Sequence, residues 1–396
     1  MHGVICTAVG AGSPLLLGFD YTTQSAGIGT SPVLVLTRAS VQTAEDLTNE
    51  VIVLGLSNDT AAIATTINGR TGLGHYPTRT NIQLWARGQS SSGWGGNTAT
   101  RTNGQSSPDG TTNAVRWQAT SAQYSTFTIN AGLSTAVKTS SLWLRWGSTN
   151  ALSGLRFNAG PVASDTSISA AWVKKTFTLA GTTTLTTITC DGRDASSDSP
   201  AGHTAGNRDV IADLFQLEFG AYASPYIDTT TVSVARAGQQ LATPAAKVVT
   251  DGGKVSLYLE IEVPCTIANA DTAQRVWSDP NDSTTFVELA TSGTLTISVA
   301  GSTNTCTISG PVAGSLIKLW VKCGGGAATF VEYKVDSSAV VTPAITGSAL
   351  GTIAPSGVLH VACSGTTKQF AGVLLRGGFL ANNVNPSAIW TSAAGF

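Results

Sequence analysis

The chain has 396 residues, with 22 Lys or Arg against 23 Asp or Glu and a formal charge of −1. That length suits two or three domains, and the charge leaves no basic footprint for nucleic acid or anionic lipid. Only 11% of residues are charged while 42% are hydrophobic, which excludes a disordered chain and predicts packed cores. No stretch nears ~18 consecutive apolar residues, so no membrane insertion is expected.

In chain order, residues 1–79 form an N-terminal region without clear periodicity. Its opening, MHGVICTAVGAGSPLLLGF, lacks the basic leader and long apolar core of a signal peptide. The one helix candidate is TAEDLTNEVIVLGL, 43–56, with acids early; its β-branched content fits a strand as well. From 80 to 234, STFTI (125–129), SLWLRW (141–146), KKTFTL (174–179) and DLFQLEF (213–219) read as strands. Between them lie Gly, Ser, Asp and Asn clusters of turn composition. Trp143 and Trp146 point to opposite faces of one strand, so at least one belongs to a core.

Residues 235–253 are short, rich in small residues, and read as a linker. Alternation is clearest just beyond it, in VSLYLEIEV, 255–263. Val255, Leu257, Leu259, Ile261 and Val263 face inward; Ser256, Tyr258, Glu260 and Glu262 face outward. Similar runs follow at 293–301, 317–323, 331–335 and 358–363, within a module spanning 254–381. The tail, 382–396, is irregular. The fold class is therefore all-β, with two antiparallel β-sandwich (jelly-roll) modules in tandem after an N-terminal region.

The six cysteines, Cys6, Cys190, Cys265, Cys306, Cys323 and Cys363, have no zinc spacing and are too sparse for a disulfide scaffold. They read as buried free thiols. Catalytic signatures are lacking: the four histidines, His2, His75, His203 and His360, have no triad pattern around them, and His360 alternates outward. Neither an enzyme nor a cofactor is expected. Asp191, Asp194 and Asp198 in one loop, and Asp279, Asn281 and Asp282 in another, offer hard oxygens for Ca²⁺, although the same residues stabilise turns. Sugar binding needs an aromatic platform beside polar groups. The candidates are Trp94 in a Gly/Ser loop, outward Tyr258, and Trp320 between Lys318 and Lys322.

Three motifs in order carry a resemblance: VLTRAS at 35–40, GHYPTRTNIQLW leading to SGW and SSPDGTTNAVRW, and LFQLEFGAYASPYIDTTTVSVAR at 214–236. Together they resemble segments that recur in tailed-bacteriophage virion proteins, where a carbohydrate-binding-module-like jelly roll precedes a concanavalin A/laminin G-like sandwich. The matching positions include Arg38, Arg79, Asn81, Trp94, Pro108, Asp109, Gly110, Gln216, Glu218, Gly220, Tyr226 and Arg236. The resemblance implies a head- or tail-attached fibre, spike or decoration protein, anchored to the particle by residues 1–79. The implied partners are capsid, portal or tail components, copies of the chain in a symmetric homo-oligomer such as a trimer, and host surface glycans. Such a protein would assemble in the host cytoplasm and leave by lysis. A tailspike-type polysaccharide depolymerase and a non-virion lectin are the alternatives.

The motif residues read physically as structure. Pro108-Asp109-Gly110 suits a tight turn, and Gly220 ends a strand where the chain leaves its sheet. Tyr226 suits a corner that is part core and part surface. Arg38, Arg79 and Arg236 either clamp carbonyls or carboxylates between segments or stand exposed.

Overall fold

The computed structural model describes residues 5–7, 15–20, 35–37, 42–46, 51–56, 63–65, 68–84, 86–88, 94–97, 99–119, 126–130, 137–147, 155–159, 162–166, 169–179, 187–191, 209–250, 252–270, 272–354, 357–364 and 368–380, some by backbone alone. Among the described residues thirty strands stand against one four-residue α-helix, Ala245–Val248, and one 3-10 turn, so the all-β expectation holds. Strand pairing is antiparallel throughout the named ladders. The described residues of the 43–56 helix candidate lie in two strands, Gln42–Asp46 and Val51–Leu56.

Two compact units share the chain: a central one of residues 42–55 and 79–236, and a C-terminal one of residues 1–41, 56–78 and 237–396. The central unit holds two sheets. One runs in the order Ala99–Gln105, Ala114–Ala119, Asp209–Phe219, Lys138–Trp146, Val173–Leu179, with Arg79–Asn81 pairing both Asp209–Phe219 and Val234–Arg236. The other runs Val162–Thr166, Leu155–Ala159, Thr187–Asp191, Thr126–Asn130, Trp94–Asn97. Val115, Trp117, Leu144, Trp146 and Ala212 are buried side chains of the first sheet, and Trp143 on the opposite face is buried too.

In the C-terminal unit two sheets close on one core. The first runs Phe330–Val335, Leu316–Gly324, Lys254–Glu262, Gly372–Leu380, Thr71–His75, Ile63–Thr65. The second contains Ser302–Thr307, Thr294–Val299, Asp282–Leu289, Gln274–Asp279, Val358–Val361 and Gln240–Pro244 in that order. Leu257, Leu259, Ile261, Leu319 and Leu374 from the first meet Trp277, Val287, Leu295, Ile297 and Leu359 from the second. Burying such side chains contributes ~1.5–3 kcal/mol each, which is what makes the period-two pattern decisive.

The expected boundaries shift. Thr71–His75, assigned by sequence to a separate N-terminal region, pairs with Gly372–Leu380, and Leu73 is fully buried opposite Leu374. Gln240–Pro244, assigned to the linker, pairs with Val358–Val361, and Leu241, Ala245 and Val248 are core residues. These strands are short, and each carries a single large inward apolar side chain, Leu73 or Leu241, so neither shows a period.

Candidate functional site

The 214–236 motif turns out to be a buried polar brace in the central unit. Asp209–Phe219 carries Gln216 and Glu218 on one face, both fully buried. The chain leaves the sheet at Gly220, whose φ of +118° lies in the region that favours glycine. It then folds back over that face. Glu218 Oε2 accepts from the Ser224 amide at 2.8 Å and from Gln216 Nε2 at 2.7 Å, while Oε1 accepts from Ser224 Oγ at 2.6 Å. Gln216 Oε1 accepts from the Ile227 amide at 2.5 Å, and its Nε2 also donates to Ser224 O at 3.1 Å. The corner has no ladder of its own, so side chains of the neighbouring strand satisfy its amides.

Asn81 and two arginines extend the brace. Asn81 Oδ1 accepts from the amides of Leu217 at 3.0 Å and Gln83 at 3.1 Å; its Nδ2 donates to Ile227 O at 2.8 Å. Arg236 Nη1 donates to Pro225 O at 3.1 Å, and Arg79 Nη1 donates to Phe219 O while its guanidinium stands 4.2 Å over the Tyr222 ring. Arg79 and Arg236 are thus clamps on carbonyls, 6% and 3% exposed. Glu45 closes the far side, accepting from the Tyr226 amide at 2.7 Å and from Lys174 Nζ at 2.6 Å. Tyr226 is 2% exposed, deeper than the half-surface position expected, with its hydroxyl donating to Asp228. Burial, with Asp228 close by, pushes its phenol well above the ordinary range. Arg38 lies outside the described residues.

The Pro108-Asp109-Gly110 turn belongs to a second polar cluster. Gly110 has φ +78°, and its amide closes the turn on Ser107 O at 3.1 Å. Arg87 Nη1 pairs with Asp109 at 2.8 Å and Nη2 with fully buried Asp213 at 3.1 Å. Asp213 also accepts from the Gly88 amide and Ser107 Oγ. Burial raises the Asp213 carboxyl despite Arg87, whereas at Asp109 burial is outweighed by Arg87 and Thr111, which hold the acid at about 2. A bulge opposite Leu142 places Leu214 at φ 55°, and the Phe215 amide then bonds Ala86 O at 2.9 Å.

Two of the three expected sugar platforms are covered. Tyr258 and Trp320 are 1% and 5% exposed and pack with Leu380 and partly buried Phe330. The Tyr258 hydroxyl donates to Glu260, which also pairs with Lys318 and Arg376, and Trp320 Nε1 donates to Ser256 Oγ at 2.8 Å. Alternation identified the face correctly, but that face is itself buried, so an outward position was not a surface one. His360 likewise is buried, against Gln240. Trp94 begins a strand, in place of a loop, and its side chain lies outside the described residues.

Among tryptophans with described side chains, only Trp172 is more than slightly exposed. The Arg145 guanidinium stands 5.2 Å over its ring and donates to exposed Ser106 Oγ at 3.1 Å. The sequence signal for it was a lone Trp opening the KKTFTL strand, where one aromatic does not reveal its exposure.

Asp279 and Asp282 flank a hairpin turn. Asp279 caps the Asn281 amide at 2.8 Å, and Asp282 accepts from Thr284 and Thr285, bonds that lower its carboxyl. These are turn-stabilising contacts. Asp191 ends a strand with an undescribed side chain, and Asp194 and Asp198 lie outside the described residues. Among the described residues no group of three or more His, Cys, Asp or Glu is placed to hold a metal. No helix there is long and apolar enough to cross a membrane, which says nothing of β-barrels. Cys265, Cys306, Cys323 and Cys363 are buried free thiols, as expected; burial pushes Cys323 and Cys363 up to about 12.

Fold and brace together define an antiparallel, all-β sandwich protein. No family model matches the chain, and no curated protein matches it. One solved structure to which part of the chain is similar holds the CBM22 and GH10 modules of a Clostridium thermocellum endo-1,4-β-D-xylanase complexed with xylohexaose. Identity is 10% and the TM-score 0.26, over 38% of this chain and 30% of that one. Agreement at that level carries no inference about ligand or activity.

Proposed function

We propose that the chain is a structural component of a tailed-bacteriophage particle: a head- or tail-attached fibre, spike or decoration protein that makes assembly contacts and adheres to host glycans. The observation that carries this reading is the brace. Arg79, Asn81, Gln216, Glu218, Tyr226 and Arg236, six of the residues through which the sequence resembles virion proteins, come together in one connected polar network. The network also commits its ionisable groups to holding backbone, which favours an architectural role over a catalytic one.

Tyr258 and Trp320 are covered, and among the described residues the Trp172, Arg145 and Ser106 surface offers a ring, a cation and a hydroxyl to a saccharide. Copies of the chain would join in a closed oligomer, such as a trimer. The test is immunogold or cryo-EM localisation on purified particles, with a glycan array of the full chain beside it. Label on head or tail, plus array binding lost in Trp172→Ala, is expected. A chain found free in the lysate and absent from particles would overturn the virion role; array binding indifferent to Trp172 would move the glycan site elsewhere.

A further inference from the structure

The described chain contains two Asn-Gly pairs, Asn68-Gly69 and Asn103-Gly104, and they differ in one chemical respect. Asn68 Nδ2 is held by Gly314 O at 3.1 Å and Glu262 Oε1 at 3.3 Å. Asn103 is exposed, and among the described residues no group bonds its side-chain amide. It stands on Ala99–Gln105, the end strand of its sheet. There the register jumps from Thr102↔Arg116 to Gln105↔Ala114, so residues 103–104 stand together opposite Val115. Such a bulge leaves an unpaired peptide, and an edge position leaves it open to water. Gly104 has φ +77° and nothing within 4 Å of where a Cβ would lie, so no side chain shields its nitrogen.

We infer that Asn103 is a site of spontaneous succinimide formation, converting slowly to aspartate or isoaspartate in the folded protein. The Gly104 backbone nitrogen attacks Asn103 Cγ, forming the N–Cγ bond. The nitrogen's proton goes to Nδ2, which leaves as ammonia. Water then opens the cyclic imide at either carbonyl, giving aspartate or, with the backbone rerouted through the side chain, isoaspartate. Solvent is the only co-reactant. Asn68 must first release two hydrogen bonds before its Cγ can be attacked. Asp109-Gly110, an Asp-Gly pair open to the same chemistry, is held by Arg87 and Thr111. Each conversion of Asn103 adds one negative charge to the sheet edge, and the isoaspartate form lengthens the strand backbone at the bulge.

The test ages the full chain at 37 °C and mildly alkaline pH, then maps peptides by mass spectrometry with isoaspartate detection. A synthetic peptide of residues 99–107 sets the unconstrained rate. Asn103 is expected to convert at a rate approaching the peptide's, and at least about tenfold faster than Asn68, from the two bonds Asn68 must break. Asn103→Gln should abolish the signal, and Asn68→Gln should leave it unchanged. An intact Asn103 while the peptide converts, or equal rates at the two asparagines, would overturn the inference.

Discussion

Replacing Asn81 by alanine tests the brace where its ledger is simplest. The side chain is uncharged and fully buried, so removing it releases no desolvated ion. Its Oδ1 is the acceptor for the Leu217 and Gln83 amides, and its Nδ2 serves the Ile227 carbonyl. Alanine leaves both amides facing a void. A buried unsatisfied donor costs ~1–3 kcal/mol, so the expected loss is roughly 3–5 kcal/mol. Asn81→Asp separates the terms: it keeps an acceptor for both amides but turns an oxygen toward Ile227 O and buries a charge. It should therefore destabilise at neutral pH and recover in part once protonated. The assay is equilibrium urea unfolding read by hydrogen exchange in peptides from Lys138–Trp146 and Asp209–Phe219. A loss below ~0.5 kcal/mol, the range of a surface substitution, would refute the reasoning.

Three further outcomes follow from the structure. Arg87→Ala leaves Asp213 buried without its cation and should cost ~3–5 kcal/mol by the same urea assay, whereas an Arg87 pair acting as a surface bridge would cost under ~1 kcal/mol. His75 is fully buried; burial lowers its pKa to about 4, against a weaker raising bond to Phe370 O. The fold thus needs the neutral ring, and the unfolded chain takes up the proton first. Stability should fall as pH drops from 6.5 to about 4, by roughly 3 kcal/mol, a slope missing from His75→Gln in paired unfolding titrations. Tyr258→Phe removes one donor from Glu260, which keeps Lys318 and Arg376, so the unfolding free energy should fall by ~1 kcal/mol in the urea assay and the glycan-array signal should not change.

Much of the fold was legible where apolar side chains alternate over many residues. The inward set Val255, Leu257, Leu259 and Ile261 is 0–2% exposed. Their outward neighbours Tyr258 and Glu260 are as deeply buried, because a period-two pattern tells which face a residue takes and not whether something lies over that face. The strand Gly372–Leu380 was missed: its GVLLRGGFL run has consecutive apolar residues and glycines in place of alternation. The brace was legible as a motif but not as a network. Gln216, Glu218 and Asn81 look like ordinary polar strand residues, and only the fold-back after Gly220 makes them the acceptors and donors of a corner. The assembly of the C-terminal unit from separate stretches of chain was hidden too, since Leu73 finds Leu374 across some 300 residues.

The brace predicts an unusual exchange pattern, and measuring it tests the account most directly. The amides of Ser224, Tyr226 and Ile227 lie outside any strand, yet they donate to Glu218 at 2.8 Å, Glu45 at 2.7 Å and Gln216 at 2.5 Å. Residue-resolved hydrogen exchange should find these three protected to the level of Asp209–Phe219 and exposed together in Gln216→Ala or Glu218→Ala. Exchange at the free rate of a surface loop in the unaltered chain would contradict the claim that the corner is a brace.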